Sequence, residues 1–422
     1  MSKYILDTRI GYACVNPDVR DGGFKTCRLA DASYEKLYPL ISHNLDALEK
    51  IIEYNAKNHL LLFRISSDLI PFGSRPEAFI DWRKEFKERF SQIGKKISES
   101  GMRVSMHPGQ YTVLNSKRAE VAVAAVRDLV YHADVLSMLG TDSDSKIILH
   151  IGGAYGNKDE AKHTFVRRYH HLSAQIKKRL VIENDDKLFN ISDLLWVSEQ
   201  TGAPVVYDNL HDQINPSDNK ISQEMWIEKA ADTWNSTSGR QKIHYSQQDS
   251  DKKGGAHSQT IDASAFIEFY SKLVNRDIDI MLEVKDKNRS AIKVNLCLKP
   301  DIRGLEREWA RYKYLVLGKD AAAYHRIRTL LKEKQNPDAL SFYEIIDSSL
   351  RLPDLHGRQI NALMHVWGYF KNRASDHEKI VFSQKIKDYA DGTASLTSIR
   401  KMLLKLSLKY QENYLLDGYF FS

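Results

Sequence analysis

RVSMHP (residues 103–108), KIILHIGG (146–153) and RLVIENDD (179–186) set the fold. Each is a short apolar, β-branched run that ends on an imidazole or a carboxylate: His107, His150 and Glu183. Three further runs repeat the pattern. PVVYDNLH (204–211) carries Asp208 and His211, QKIHYSQ (241–247) carries His244, and DIMLEVK (279–285) carries Glu283. Helix-length segments with apolar residues at three- and four-residue spacing, such as 119–139 and 190–200, lie between them. Parallel strands joined by crossover helices put all their C-terminal ends on one face. In a closed (β/α)8 barrel that face is where active sites form. Two earlier runs, RIGYAC (9–14) and LLLFRIS (60–66), complete eight strands, with helices expected over 34–58 and 82–99 and the last strand closing near Val284. An open doubly wound sheet is the competitor, but no Gly-x-Gly-x-x-Gly follows the first strand.

No stretch of eighteen apolar residues is present, which excludes a membrane-spanning helix of the usual kind. The opening MSKYILDTRI has no apolar h-region. Cys14, Cys27 and Cys297 fit neither a disulfide framework nor a Cys-x-x-Cys site. A cytoplasmic protein, nucleoid-associated if bacterial and with no membrane partner, is expected. The net charge of +7 is compatible with a polyanion without requiring one. Basic residues recur in segments expected near the barrel mouth: Arg64, Arg75, Lys158, Lys162, Arg167, Arg168, Lys252, Lys253, Lys285, Lys287 and Arg289. As a group they are expected to meet phosphate.

Eight nitrogen or oxygen donors, one of them a bridging carboxylate, suffice for three divalent ions. Mixed imidazole and carboxylate donors suit zinc, manganese or iron rather than calcium. Paired ions suit in-line phosphoryl displacement. A sugar isomerase also uses metals in such a barrel, and ligand count separates the two only weakly.

MHPGQY around His107, His150-Ile-Gly-Gly-Ala-Tyr155, Glu183-Asn-Asp185, Asp208-Asn-Leu-His211 and Gly255-Ala-His257 together resemble the UV damage endonucleases. Gly11-Tyr12 with Asn16, and FRISSDLIPF (63–72), match that family's early motifs, so the resemblance spans roughly residues 9–290. It implies a TIM barrel similar to the endonuclease IV type of apurinic-site nuclease. The implied activity is metal-dependent cutting of damaged double-stranded DNA immediately 5′ of UV photoproducts, with abasic sites as further substrates, leaving 3′-hydroxyl and 5′-phosphate ends. It further implies His107, His150 and Glu183 around one ion, Glu183 bridging to a second held by Asp208, His244 and Glu283, and His211 and His257 on a third. Manganese is the expected metal, with zinc, cobalt or magnesium as alternatives.

Glu183, His244 and Lys242, which falls where the family carries a lysine at the cluster, are the expected catalytic residues. Gln110 and Tyr111, in a Pro-Gly turn that can aim them outward, are implied to wedge into the duplex at the lesion, with Tyr12 and Asn16 across the same mouth. Damaged pairs are cheaper to unstack, which gives selectivity without reading a particular base. The chain departs from the family at Arg75 in PFGSRP, where a histidine is usual. A guanidinium cannot be a metal ligand but can clamp a phosphate. The remaining readings are a sugar isomerase of the xylose-isomerase type and a damage-binding protein without cleavage. No nucleotide cofactor is expected, and the chain is expected to act as a monomer.

Beyond residue 295 the strand pattern stops. CLKP (297–300) reads as a linker, and helices are expected over 305–317, 320–334, 340–351, 359–370, 376–391 and 395–410. The expected domains are a barrel over 1–295 and an all-α domain over 296–422, large enough for its own core. INALMHVWGYFK (360–371), Glu378-Lys379 and the closing Asn413-Tyr-Leu resemble the small helical domain of uncertain function named after the bacterial YbgA protein. Its aromatic residues are read as core, and His365 as a buried, hydrogen-bonded histidine.

Overall fold

The computed structural model describes residues 8–75 and 79–421. Most of the N-terminal MSKYILDTRI stretch, and Pro76 after Arg75, lie outside them. The eight strands are β1 Arg9–Cys14, β2 Leu62–Ile65, β3 Arg103–Met106, β4 Ile147–Leu149, β5 Leu180–Glu183, β6 Val205–Asp208, β7 Lys242–Tyr245 and β8 Asp279–Leu282. All neighbours pair in parallel in sequence order, and β1 also pairs with β8, so the sheet closes into a barrel. Strands of such a barrel are covered on both faces and read as continuous apolar runs; β3 to β8 are buried at every position. Closure requires Gly11 on β1, because a Cβ there would meet the Leu62 carbonyl of β2.

The connecting helices form where the sequence offers both a cap and an apolar stripe. Tyr34–Lys57 starts at Ser33, whose hydroxyl accepts from the Lys36 amide, and buries Leu37, Ile41, Leu45, Leu48 and Ile52. Ile191–Thr201 starts in a capping box made by Asn190 and Asp193 and ends at Gly202 with φ 73°. The single helix expected over 82–99 is broken at Phe86 into Trp82–Glu85 and Lys87–Ser100.

The chain divides into two compact units. One takes in the chain up to Asp262 together with Phe269–Ile292, and the other Ala263–Glu268 with Lys293–Ser422. The second unit is helical, with Ile302–Lys319, Ala321–Leu330, Ala339–Leu350, His356–Trp367, Asp376–Ala390 and Leu396–Lys409 as its longer helices. Its aromatic residues are core, as expected: Trp367 stacks on Phe382 at 4.2 Å, and Phe342, Tyr343 and Phe370 are fully buried. Glu308 is buried among them and accepts from Arg311 Nη1 (2.8 Å) and the Tyr419 hydroxyl (3.1 Å). Two expectations fail here. Cys297 and Leu298 are helical, in Asn288–Leu298, because the apolar spacing of that helix runs on through them. His365 is exposed, on the same outward face as Asn361 and Met364.

A candidate metal centre at the C-terminal mouth of the barrel

Glu183 ends β5 and Asp208 ends β6, while His107 and His150 immediately follow β3 and β4 and Glu283 follows β8. His244 is the third residue of β7, and His211 lies in the first turn of the helix Asn209–Ile214. These side chains meet around Glu183, whose carboxylate is buried. His107 Nε2 lies 2.9 Å from Glu183 Oε2, and His244 Nδ1 lies 2.7 Å from Oε1. His150 Nε2 is 3.6 Å from Oε2, and His211 Nδ1 is 3.9 Å from Oε1.

Three donor groups follow, each with ligand atoms within 4.8 Å of one another: His107, His150 and Glu183; Glu183, His244 and Glu283; and Glu183, Asp208 and His211. All three share Glu183. Asp208 stands here in a group with His211, where the resemblance implies it beside His244 and Glu283. The cause is a helix cap: Asp208 Oδ1 accepts from the His211 amide at 2.8 Å and holds the two side chains together. His257 belongs to none of these groups; its Nε2 is 3.8 Å from Glu283 Oε2.

Backbone carbonyls fix the ring orientations. The Nδ1 atoms of His107, His150 and His211 lie 3.0, 3.2 and 2.9 Å from the carbonyls of Pro108, Glu183 and Asn184. A carbonyl only accepts, so in His150 and His211 Nδ1 carries the proton and Nε2 is left as the free donor, while His107 meets an acceptor at each nitrogen, the Pro108 carbonyl and Glu183 Oε2. Asn184 and Asn209, each directly after a carboxylate, tie the strand ends together. Asn184 exchanges two hydrogen bonds with the Asp208 backbone (2.8 and 3.0 Å), and Asn209 two with Ser246 (2.7 and 2.9 Å). Arg64 of β2 ion-pairs with Glu283. The two asparagines were missed from sequence, although their repeated place one residue after Glu183 and Asp208 is a signal in the chain.

Whether this set suits cations is tested by its unpartnered atoms. Asp208 Oδ2 and His244 Nε2 are buried without a hydrogen-bond partner. Buried groups left so are costly unless something completes them, and a divalent ion takes both atom types. Burial raises Asp208 to about 6, with His211 opposing. Burial alone would lower His211, but Asp208, Glu183 and Glu283 together push it up to about 9. Burial takes His107 down to about 4. Glu183 stays well below the usual carboxylate range: burial would raise it, and His244 and His150 more than offset that.

Ligation needs an unprotonated imidazole, so metal loading at neutral pH should release about one proton from His211. Since a proton must leave below about 9, apparent affinity should fall about tenfold per pH unit down to about 6, and more steeply beneath, where Asp208 also protonates. Titration calorimetry in buffers of different ionisation enthalpy reads the proton directly. A pH-independent affinity over that window would contradict the assignment.

The other expected site residues divide. Gln110 and Tyr111 are exposed, and Tyr111 is 66% accessible. Their turn is anchored from beneath: Ser67 Oγ donates to the His107 carbonyl (2.6 Å), Thr112 Oγ1 donates to Asp128 Oδ2 (2.6 Å), and buried His132 Nε2 lies 2.9 Å from Ser67 Oγ. Arg75 and Tyr111 line one cavity of about 600 Å³ with Asp68, Arg127 and Asp128.

Tyr12 and Asn16 are not at the surface. The Tyr12 hydroxyl is buried, donates to Asn55 Oδ1 (2.7 Å) and accepts from Asn16 Nδ2 (2.8 Å), so both shape the β1 loop from inside. Lys242 points to the barrel interior and donates to Ser105 Oγ (2.6 Å); burial, then the Arg103 cation, lower its pKa strongly. Most of the expected phosphate contacts are internal ion pairs or hydrogen bonds. Lys158 and Lys162 pair with Asp193, Arg167 with Glu160, Lys252 with Asp249 and Arg289 with Asp18, and Arg168 donates to the carbonyls of Leu114 and Ser116.

Residues 8–308 match the family described as UV-endonuclease UvdE, and residues 313–422 match a family of proteins of unknown function, DUF1722. A UV DNA damage endonuclease of Clostridium perfringens (strain 13 / Type A) is 39% identical over 404 residues, 94% of this chain and 96% of the relative. One from Bacillus mycoides (strain KBAB4) is 33% identical over 275 residues, 65% of this chain and 86% of the relative. The crystal structure of SacUVDE matches at 40% identity and a TM-score of 0.65, covering 69% of this chain and 98% of that one. With strand ends, donor set and matches agreeing, the chain belongs to the UV-endonuclease UvdE family.

Proposed function

We propose that the barrel is a metal-dependent DNA repair endonuclease that hydrolyses the phosphodiester immediately 5′ of cyclobutane dimers and 6-4 photoproducts. Abasic sites are further substrates, and the products carry 3′-hydroxyl and 5′-phosphate ends. The observation that carries this reading is the convergence of three donor groups on Glu183, with Asp208 Oδ2 and His244 Nε2 unpartnered at its side. The three groups would hold three ions, manganese by preference, with His257 adding a donor beside Glu283. When bound, such ions supply Lewis-acid polarisation of a phosphate and acidify water.

The chain's own residues select and hold the substrate. Tyr111 and Gln110 enter the duplex where stacking is weakened, and Arg75, beside them on the cavity wall, clamps a phosphate. Lys242, held by Ser105, supports the floor of the site and positions β7 and His244 rather than touching the phosphate. We assign the endonuclease to residues 1–295 and a separate helical domain to 296–422, in a monomer working at the cytoplasmic nucleoid without a nucleotide cofactor.

The test is incubation of metal-loaded protein with a duplex bearing one cyclobutane dimer, beside an undamaged duplex, with and without chelator. Chelator-sensitive incision 5′ of the dimer is expected. Intact damaged duplex in the presence of bound metal would overturn the reading.

A further inference from the structure

The two units differ in charge. The first holds 40 Lys and Arg against 39 Asp and Glu, whereas the second holds 22 against 16. Six of the seven net positive charges therefore reside in the helical unit. In the barrel, most of the basic residues expected at the mouth are neutralised by carboxylates such as Asp193, Glu160, Asp249 and Asp18. The helical unit contains a face that is not neutralised in this way.

That face belongs to the helix Leu396–Lys409, LTSIRKMLLKLSLK, which has no acidic residue. It buries Ile399, Leu403, Leu406 and Ser407. On the outward side Lys401, Lys405 and Lys409 are exposed at i, i+4 and i+8, one above another. Lys409 bonds to Glu378 at 2.8 Å. Among the described residues, no carboxylate lies within ion-pair distance of Lys401 or Lys405. Like charges four residues apart cost a helix stability. Lys401 and Lys405, left uncompensated by their own unit, fit a partner that brings regularly spaced negative charge.

We propose that the lysine face of Leu396–Lys409 is a docking surface for the phosphate backbone of duplex DNA, independent of sequence and of damage. The proposal rests on the endonuclease reading of the barrel, which makes duplex DNA the polyanion this chain handles. A duplex presents one charge per about 1.7 Å of axis, so a row of lysines finds phosphates at any register. Contacts of this kind position a protein without specifying a base. A barrel with almost no net charge exerts little long-range attraction on DNA, and the helical unit supplies it.

The experiment compares the full chain with the double charge reversal Lys401→Glu/Lys405→Glu and with Lys401→Arg/Lys405→Arg. Both positions are exposed, so neither pair of changes disturbs the core. Equilibrium binding to a short undamaged duplex is followed across a salt series, alongside steady-state incision of a dimer-bearing duplex. The reversal should lose tenfold or more in affinity at low salt, and its log-log salt slope should shrink by about 2, since each neutralised phosphate contributes about 0.9. KM should rise with kcat unchanged, and the arginine pair should behave as the parent. Parental slope and affinity in the reversal would overturn the proposal. The two readings separate: a shrunken slope without incision by any version keeps this surface and removes the endonuclease, while normal incision with an unchanged slope removes the surface alone.

Discussion

Glu183→Gln should reduce incision of a dimer-bearing duplex by on the order of 10³ or more, the scale seen when a group acting only at the reacting centre is removed. The substitution keeps the shape and deletes the charge. Glu183 is the member common to all three donor groups, so its loss weakens every one of them, whereas removal of His150 or His211 touches one. The amide nitrogen would also face imidazole nitrogens: His107 Nε2 and His244 Nδ1 now lie 2.9 and 2.7 Å from the two carboxylate oxygens. An amide offers one acceptor where two are needed. Bound metal per chain, measured by elemental analysis, should fall together with the rate, while far- and near-UV circular dichroism should stay parental. Incision within tenfold of the parent, at parental metal content, would mean that Glu183 is not the shared ligand.

What the sequence made legible, and what it hid, follows from distance along the chain. The strand ends could be read because a barrel strand is a buried apolar run, and the first polar residue after it marks where the chain leaves the core, as at His107, His150 and Glu183. The grouping of ligands could not be read, because it turns on a helix cap joining Asp208 to His211. Tyr12 was misplaced because its burial depends on Asn55, 43 residues away, which accepts the hydroxyl proton. The basic residues at the mouth were overvalued for the same reason. Arg289 is neutralised by Asp18, 271 residues earlier, and no local pattern announces such a pair. Cys297 looked like linker because Pro300 follows closely, yet the helical spacing carried on to Leu298.

A second large effect is expected at the opposite end of the barrel, on stability rather than rate. Arg103 opens β3 and Asp279 opens β8, and both are buried. Arg103 Nη1 lies 2.7 Å from Asp279 Oδ2, and the same guanidinium donates to the carbonyls of Asp144 (2.9 and 2.7 Å) and Arg240 (2.8 Å). One buried cation thus ties the entrances of β4, β7 and β8 to β3. Arg103→Met keeps the chain length but strands a buried carboxylate and two carbonyls. Breaking a buried pair from one side costs about 3–5 kcal/mol. Arg240 and Arg9, at 3.6 and 3.9 Å from Asp279, set the expectation at the lower end, about 3 kcal/mol. Chemical denaturation of the metal-loaded protein measures this directly. Replacing both partners, Arg103→Met with Asp279→Leu, should recover much of the loss, because well-packed apolar residues can take the place of a buried pair. Incision per folded molecule should be unchanged in both variants, since in this fold the N-terminal face of the barrel serves stability and the C-terminal face chemistry. A loss below about 1 kcal/mol would place Arg103 among ordinary surface ion pairs; a fall in kcat at full occupancy of the folded state would mean the two faces are not independent. The contrast between the ends is one of charge balance: at the N-terminal end one carboxylate, Asp279, is met by Arg103, Arg240 and Arg9 of the chain itself, whereas at the mouth Glu183, Asp208 and Glu283 stand together with imidazoles in groups that a cation can complete.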